Sequence, residues 1–164
     1  MDFCSFAERI AFEALRRQYA QGLVARQLLL VPSRLDLDDR RVDLVEQNEG
    51  LLRTFGMQAD VTGPLTVTVR EVPAILGNVD PARLLREVLD DLEDGSGRID
   101  ALAERVLATM ACHASVRGGD ELDGTRAEAL LRDLDRVERS THCPHGRPVY
   151  FELPHEEIRR RLGR

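Results

Sequence analysis

Cys143 and His145 stand two apart in THCPHGRPVYFEL, residues 141–153, on a loop that Pro144, Gly146 and Pro148 hold stiff. Scarce residue types are concentrated there, since the whole chain has 3 Cys and 4 His. Either the loop is an ordinary turn, or it aims a sulfur and an imidazole at one metal ion. The other cysteines also have candidate ligands beside them. Cys4 precedes Glu8 by about one helical turn, so both can face the same way. Cys112 is followed by His113 and then by the glycines of RGG, residues 117–119. Thiolate, imidazole and carboxylate are the donors that tetrahedral zinc accepts. Against this, no CxxC or HxxxH pair is present, and the ligands would have to come from three distant segments. A cysteine without such a partner is commonly a small core hydrophobe. Spacing alone leaves both readings open. His142 and His155 read as surface residues. Glu13 follows Glu8 by five positions, roughly 140° around a helix of 3.6 residues per turn. The two carboxylates therefore do not share a face, and Glu13 reads as solvated or as a support to the site rather than a ligand.

The elements that must position these groups give an α+β order. Residues 5–21 predict a helix with Phe6, Ile10 and Ala14 on one face and Ala7, Ala11 and Leu15 beside them. Gly22 fits its C-cap. QLLLVP, residues 27–32, predicts a short strand closed by Pro32. Residues 38–55 predict one amphipathic helix, with Val42, Val45, Leu52 and Phe55 inward and Gly56 ending it. MQADVT and LTVTVREV predict strands around the Gly63-Pro64 turn. In the second, Leu65, Val67 and Val69 alternate with Thr66, Thr68 and Arg70. Asp80 and Pro81 fit the N-cap and first position of the next helix. GSG, residues 95–97, separates it from a helix through ALAERVLATMAC. TRAE, residues 125–128, reads as a capping box that opens another helix. The strand PVYFEL and a last helix, HEEIRRRLGR, follow the quoted loop. The result is a compact βαββ unit inserted near the start of the chain and followed by helices.

The chain has 164 residues, with 43% hydrophobic and 32% charged, a globular balance large enough for a real core. No apolar stretch approaches the roughly 20 residues of a membrane span. The start reads as a charged amphipathic helix rather than a signal peptide, so a cytoplasmic location without membrane partners is expected. An odd cysteine count argues against a disulfide framework. All basic residues are arginine, and the net charge of −6 argues against tight DNA binding by a broad phosphate-contacting face. Arg117, Arg147 and RRRLGR, residues 159–164, are the local candidates for DNA contact. The last of these also reads as a solvated helix end favoured by the C-terminal dipole.

Four segments together resemble the C-terminal domain of the MutL mismatch-repair family. CPHGRP, residues 143–148, reproduces a family motif in full, and ACHASVRGG, residues 111–119, resembles its Ala-Cys segment. DFCSFAERIAFE, residues 2–13, aligns with Asp-Gln-His-Ala-x-x-Glu-x-x-x-x-Glu. QLLLVP resembles a sliding-clamp-binding motif, Gln-x-Leu-Leu-x-Pro. In order and spacing these segments cover nearly the whole chain.

The resemblance implies a homodimerising domain with a latent metal-dependent nicking endonuclease. Residues 1–26 and 106–164 would form the dimerisation and metal-site subdomain, and 27–105 the regulatory, clamp-docking one. Glu8, Cys112, Cys143 and His145 would hold the metal, with Cys4 at the rim and Asp2 and Glu8 as the catalytic carboxylates. Zinc is the implied metal, with manganese as the ion for cleavage. Gln27, Leu29, Leu30 and Pro32 would meet the sliding clamp. DNA and the mismatch-recognition protein MutS are the other implied partners. The chain departs from the motif at Phe3, Cys4 and Ser5, where the family has Gln-His-Ala. A thiolate in place of that imidazole favours zinc over manganese. A non-catalytic dimerisation and docking module with a structural zinc is therefore the alternative. The family also places strands, an ATPase domain and a linker ahead of this motif, which implies a fragment or a stand-alone remnant.

Overall fold

The computed structural model describes residues 3–94, 99–114, 124–134, 142, 148 and 153–163. Helix α1 spans Phe3–Ala20. Strand β1, Arg26–Asp36, leads to helices α2, Asp39–Gln47, and α3, Glu49–Thr54. Strands β2, Gln58–Val61, and β3, Thr66–Pro73, complete the βαββ unit. After a 3-10 turn at Ala74–Leu76 come α4, Pro81–Glu93, and α5, Ile99–Ala114. Helices α6, Gly124–Leu134, and α7, His155–Arg161, follow. This is the expected α+β order. The strand expected at PVYFEL lies outside the described residues, apart from an antiparallel bridge between His142 and Pro148.

The sheet is antiparallel in the order β1-β3-β2. Pro32 does not close β1, which runs on to Asp36. A proline is tolerated there because β1 is an edge strand and its missing N–H interrupts no second ladder. The ladder is irregular at that level. Leu28 pairs with Glu71 and Ser33 with Val69, so residues 29–32 lie opposite Arg70 alone. On the other side of β3, Gln58 pairs with Glu71 and Ala59 with Val69, which leaves Arg70 as a bulge residue there too. Bulges bend and twist a strand and reset which side chains face inward. The expected alternation in β3 breaks accordingly. Val67, Val69 and Val72 are buried, Leu65 is exposed, and Thr68 is buried with its hydroxyl 2.9 Å from that of Thr62.

The single helix expected over 38–55 is two. At Asn48 the backbone leaves helical geometry, and the side-chain amide donates to the Leu44 carbonyl at 2.9 Å. This local bond competes with the helix ladder. The inward residues still match the pattern, since Val42, Val45, Leu52 and Phe55 are all buried. Gly56 ends α3 at φ +82°, and a Cβ there would stand 3.0 Å from Val24 Cγ1. Glycine is required on both counts. Phe55 stacks on Tyr19 of α1, with ring centroids 5.1 Å apart.

One apolar core runs through the described residues. Helix α4 rests on β1 and β3, α5 packs on α4, and α1 packs on α5. Leu84, Leu85, Val88 and Leu89 of α4 are buried together with Val106, Leu107, Met110 and Ala111 of α5. On α1 the buried apolar face is Ala7, Ala11, Phe12 and Leu15, while Ile10 and Ala14 are half-buried. Asp80 caps α4 as expected, accepting from the Ala82 and Arg83 N–H groups at 3.0 and 3.2 Å ahead of Pro81. Replacing Asp80 by alanine is expected to cost about 1 kcal/mol, measurable as a shifted urea midpoint with unchanged slope. The TRAE box sits one residue late, because α6 begins at Gly124 and Thr125 falls inside its first turn.

Candidate functional site

Helix α1 buries three charges. Glu8 and Arg9 are each 7% exposed and Glu13 only 2%. Glu13 is therefore not solvated, the first of the two readings its spacing allowed. Arg9 Nη2 donates to Glu13 Oε1 at 2.5 Å, and Arg16 Nη2 reaches Glu13 Oε2 at 2.9 Å. The Arg9 guanidinium also lies 5.5 Å from the centre of the Phe12 ring. Burial of this carboxylate is sustained by two guanidinium groups from its own helix. The i,i+4 spacing of Arg9 and Glu13 was visible in the sequence, but the burial that makes the pair consequential was not.

Helix α5 carries the second half. Cys112 is exposed near its last turn, and α5 packs directly against α1. The helix of Glu8 and the helix of Cys112 are thus neighbours. Asp2, Cys143, His145, Arg117 and Arg147 lie outside the described residues, and Cys4 is placed only by its backbone in α1. The residues that bracket 143–147, His142 and Pro148, are paired across an antiparallel bridge. Among the described residues, no three His, Cys, Asp or Glu side chains gather as metal ligands. His142 and His155 are exposed, as expected.

Next to Cys112, the His113 ring turns inward. Its Nε2 lies 2.9 Å from Glu87 Oε2 of α4, and Arg83 Nε donates to Glu87 Oε1 at 2.8 Å. His113 and Glu87 are 26 positions apart, so no local spacing announced their contact. Burial raises the Glu87 carboxyl, but hydrogen bonds and charge from Arg83 and His113 outweigh it and hold the group below the ordinary Glu range. A carboxyl lowered in the folded state stabilises fully above its unfolded range, and that contribution is lost as pH falls through the lowered folded value. Glu87→Gln is therefore expected to flatten the acid limb of stability against pH. Urea midpoints across that limb check it, and an unchanged limb contradicts it.

On β1, Gln27 and Leu29 are half-buried, Leu30 is wholly exposed and Pro32 is exposed. Gln27 Nε2 donates to the Gly77 carbonyl at 2.8 Å. The arginines of α7 stand at a solvated helix end, where Glu157 holds Arg160 and, at 2.9 Å, Arg161. A separate cleft of about 230 Å³ between α2, α3 and β2 is lined by Val45, Glu46, Glu49, Ala59, Asp60 and Val61. It falls below the roughly 300 Å³ at which small-molecule sites begin.

Residues 3–122 match the profile described as MutL C terminal dimerisation domain. Over 160 residues, 96% of the chain, it is 42% identical to the DNA mismatch repair protein MutL of Phenylobacterium zucineum, and equally to that of Caulobacter vibrioides. The DNA mismatch repair protein MutL of Rhizobium etli is 40% identical over 159 residues, again 96% of the chain. The chain spans about a quarter of the length of these curated relatives, 26%, 25% and 26% respectively.

Proposed function

The chain belongs to the MutL C-terminal dimerisation domain family, and from that membership we propose that it pairs with a second copy in DNA mismatch repair and carries a latent metal-dependent DNA-nicking site. The observation that carries this reading is the packing of α1 on α5, which sets the helix of Glu8 against the helix of Cys112. The donor chemistry fits a divalent ion. Glu8, Cys112, Cys143 and His145 would hold zinc, and the carboxylates of Asp2 and Glu8 suit manganese. Such an ion, when bound, supplies Lewis acidity and an activated water. The chain's own part is to keep the Glu8 carboxylate out of bulk water and to offer Arg117 and Arg147 to phosphate. Residues 1–26 and 106–164 form the dimerisation and metal-site portion in this reading. Residues 27–105 form the regulatory portion, docking on the sliding clamp through Gln27, Leu29, Leu30 and Pro32. DNA binding by the chain alone is weak, MutS is the mismatch-recognition partner, and the compartment is the cytoplasm. Among the described residues no helix is long and apolar enough to cross a membrane.

The second reading is a non-catalytic dimerisation and docking module with a structural zinc. Phe3, Cys4 and Ser5 favour it, because the motif position of Cys4 calls for an imidazole. Metal content, sedimentation and nicking of supercoiled plasmid in manganese separate the two. A dimer with nicking that needs Glu8 supports the first. A zinc-loaded dimer without nicking supports the second. A metal-free monomer at micromolar concentration overturns both.

A further inference from the structure

We propose that His113 and Glu87 are positioning residues for the metal site, holding the last turn of α5 so that Cys112 is presented in one direction. The inference rests on the metal-site reading and deepens it. The observation behind it is a polar stripe between α4 and α5. Arg105, Thr109 and His113 follow one another at intervals of four along α5, which sets them on one face. Arg105 Nη2 donates to the Asp91 carbonyl at 2.9 Å, and Thr109 Oγ1 donates to Asp91 Oδ2 at 2.6 Å. His113 Nε2 then meets Glu87 Oε2 at 2.9 Å. Glu87 and Asp91 are themselves four apart on α4 and are met in reverse order, so the two helices are joined antiparallel along these side chains.

His113 lies in the last turn of α5, beside Cys112. The last carbonyls of a helix lack partners within it, and a terminal turn opens at little cost. A metal ligand placed there needs an external hold, because a site tolerates only small errors in where its donors point. The His113 ring supplies that hold. Its side chain is 7% exposed, and an ionised carboxylate only accepts, so Nε2 carries the proton that it donates to Glu87. Arg83 Nε, 2.8 Å away, fixes the other carboxylate oxygen. Cys112 is exposed and stands about 100° from His113 around the helix. With the His113 ring anchored, the Cα–Cβ bond of Cys112 keeps one direction. Glu87 belongs to residues 27–105 and His113 to 106–164, so the same bond couples the two portions that the proposed function distinguishes.

The test is the zinc affinity of the full chain by competition with a chelator, with cobalt(II) as a second probe, since a thiolate bound to cobalt gives a sulfur-to-metal charge-transfer band. Urea midpoints are measured on each protein. Cys112→Ser should weaken the band. His113→Ala and Glu87→Ala should each lower zinc affinity by about tenfold or more and weaken the band. The double variant should lose little beyond either alone, because both changes remove one contact. His113→Gln, whose amide can donate from near the Nε2 position, should restore affinity. Thr109→Val removes the bond one turn earlier, and should lower the urea midpoint while leaving zinc affinity and the band unchanged. Should His113→Ala fail to fold, Glu87→Ala carries the same expectation from the more exposed side of the contact. Undiminished affinity in Glu87→Ala, or an equal loss of affinity in Thr109→Val, overturns the positioning role while the metal site stands. If the unaltered chain takes up neither zinc nor cobalt, or if Cys112→Ser leaves the band unchanged, the metal-site reading itself fails and this proposal falls with it.

Discussion

Cys4→His is expected to raise manganese-dependent nicking of supercoiled plasmid by about tenfold or more, the usual scale of changes around a metal centre. Position 4 lies one helical turn before Glu8 on α1 and stands where the family motif has histidine. A thiolate there is soft and anionic, which suits zinc, while an imidazole beside carboxylates accommodates manganese. Glu8→Ala should reduce nicking to background in both the unaltered and the Cys4→His chains, because the proposed function makes this buried carboxylate the donor common to both. Phe3→Gln added to Cys4→His should increase the gain. The readout is the rate of conversion of supercoiled to open-circular plasmid, with metal content measured on each protein. Equal nicking by the unaltered and Cys4→His chains, abolished in both by Glu8→Ala, would defeat the thiolate argument and leave the enzyme reading standing.

Glu13→Ala is expected to destabilise the chain by about 3–5 kcal/mol, the scale of removing one partner from a buried ion pair. The side chains of Arg9 and Glu13 are 8% and 3% exposed, and the Arg9 guanidinium lies over the Phe12 ring. Arg16, whose side chain is 42% exposed, contributes less than Arg9 to the balance. The double variant Arg9→Met, Glu13→Leu should recover most of the loss, because an apolar pair of similar volume removes both desolvation penalties. Urea unfolding of the single and double variants forms a cycle that isolates the pair. A loss below about 1 kcal/mol in Glu13→Ala would mean that the pair is solvated in the folded protein. In that case α1 would not be a buried helix along this face.

The two carboxylates of α1 show where reading from sequence stops. Their angular separation gave Glu13 two readings, solvated or a support to the site, and the first implied that it faces water. That implication assumed a helix buried on one side. Here α1 is enclosed through Glu8, Arg9, Phe12 and Glu13 as well as through Ala7, Ala11 and Leu15, an enclosure set by α5 and other distant parts of the chain. The start of α4 was legible because Asp80 and Pro81 act locally, on backbone N–H groups two and three residues away. The end of β1 was not, because tolerance of Pro32 depends on β1 being an edge strand, and strand order is a non-local property. The break at Asn48 was missed for the opposite reason. It is a local side-chain bond that the apolar period passes over without a change of phase. For the site, the motif segments named Glu8 and Cys112, and the fold supplied the adjacency of their helices. The contact of His113 with Glu87 joins two helices and had no signature in either.

The bridges that tie α2 to α4 and β2 to β3, Arg41 with Asp90 at 2.6 Å and Arg70 with Asp60 at 2.7 Å, are built on guanidinium rather than ammonium groups. An ammonium cation begins to shed its proton near pH 10, whereas a guanidinium keeps its charge throughout the range in which proteins are handled. Mildly alkaline solution therefore strips no cation from these bridges. Reagents that acylate lysine amines have no side chain to modify in this protein, since it contains no lysine. Amine-directed crosslinking or surface immobilisation would leave these bridges intact, and it would equally be blind to any partner seated beside them.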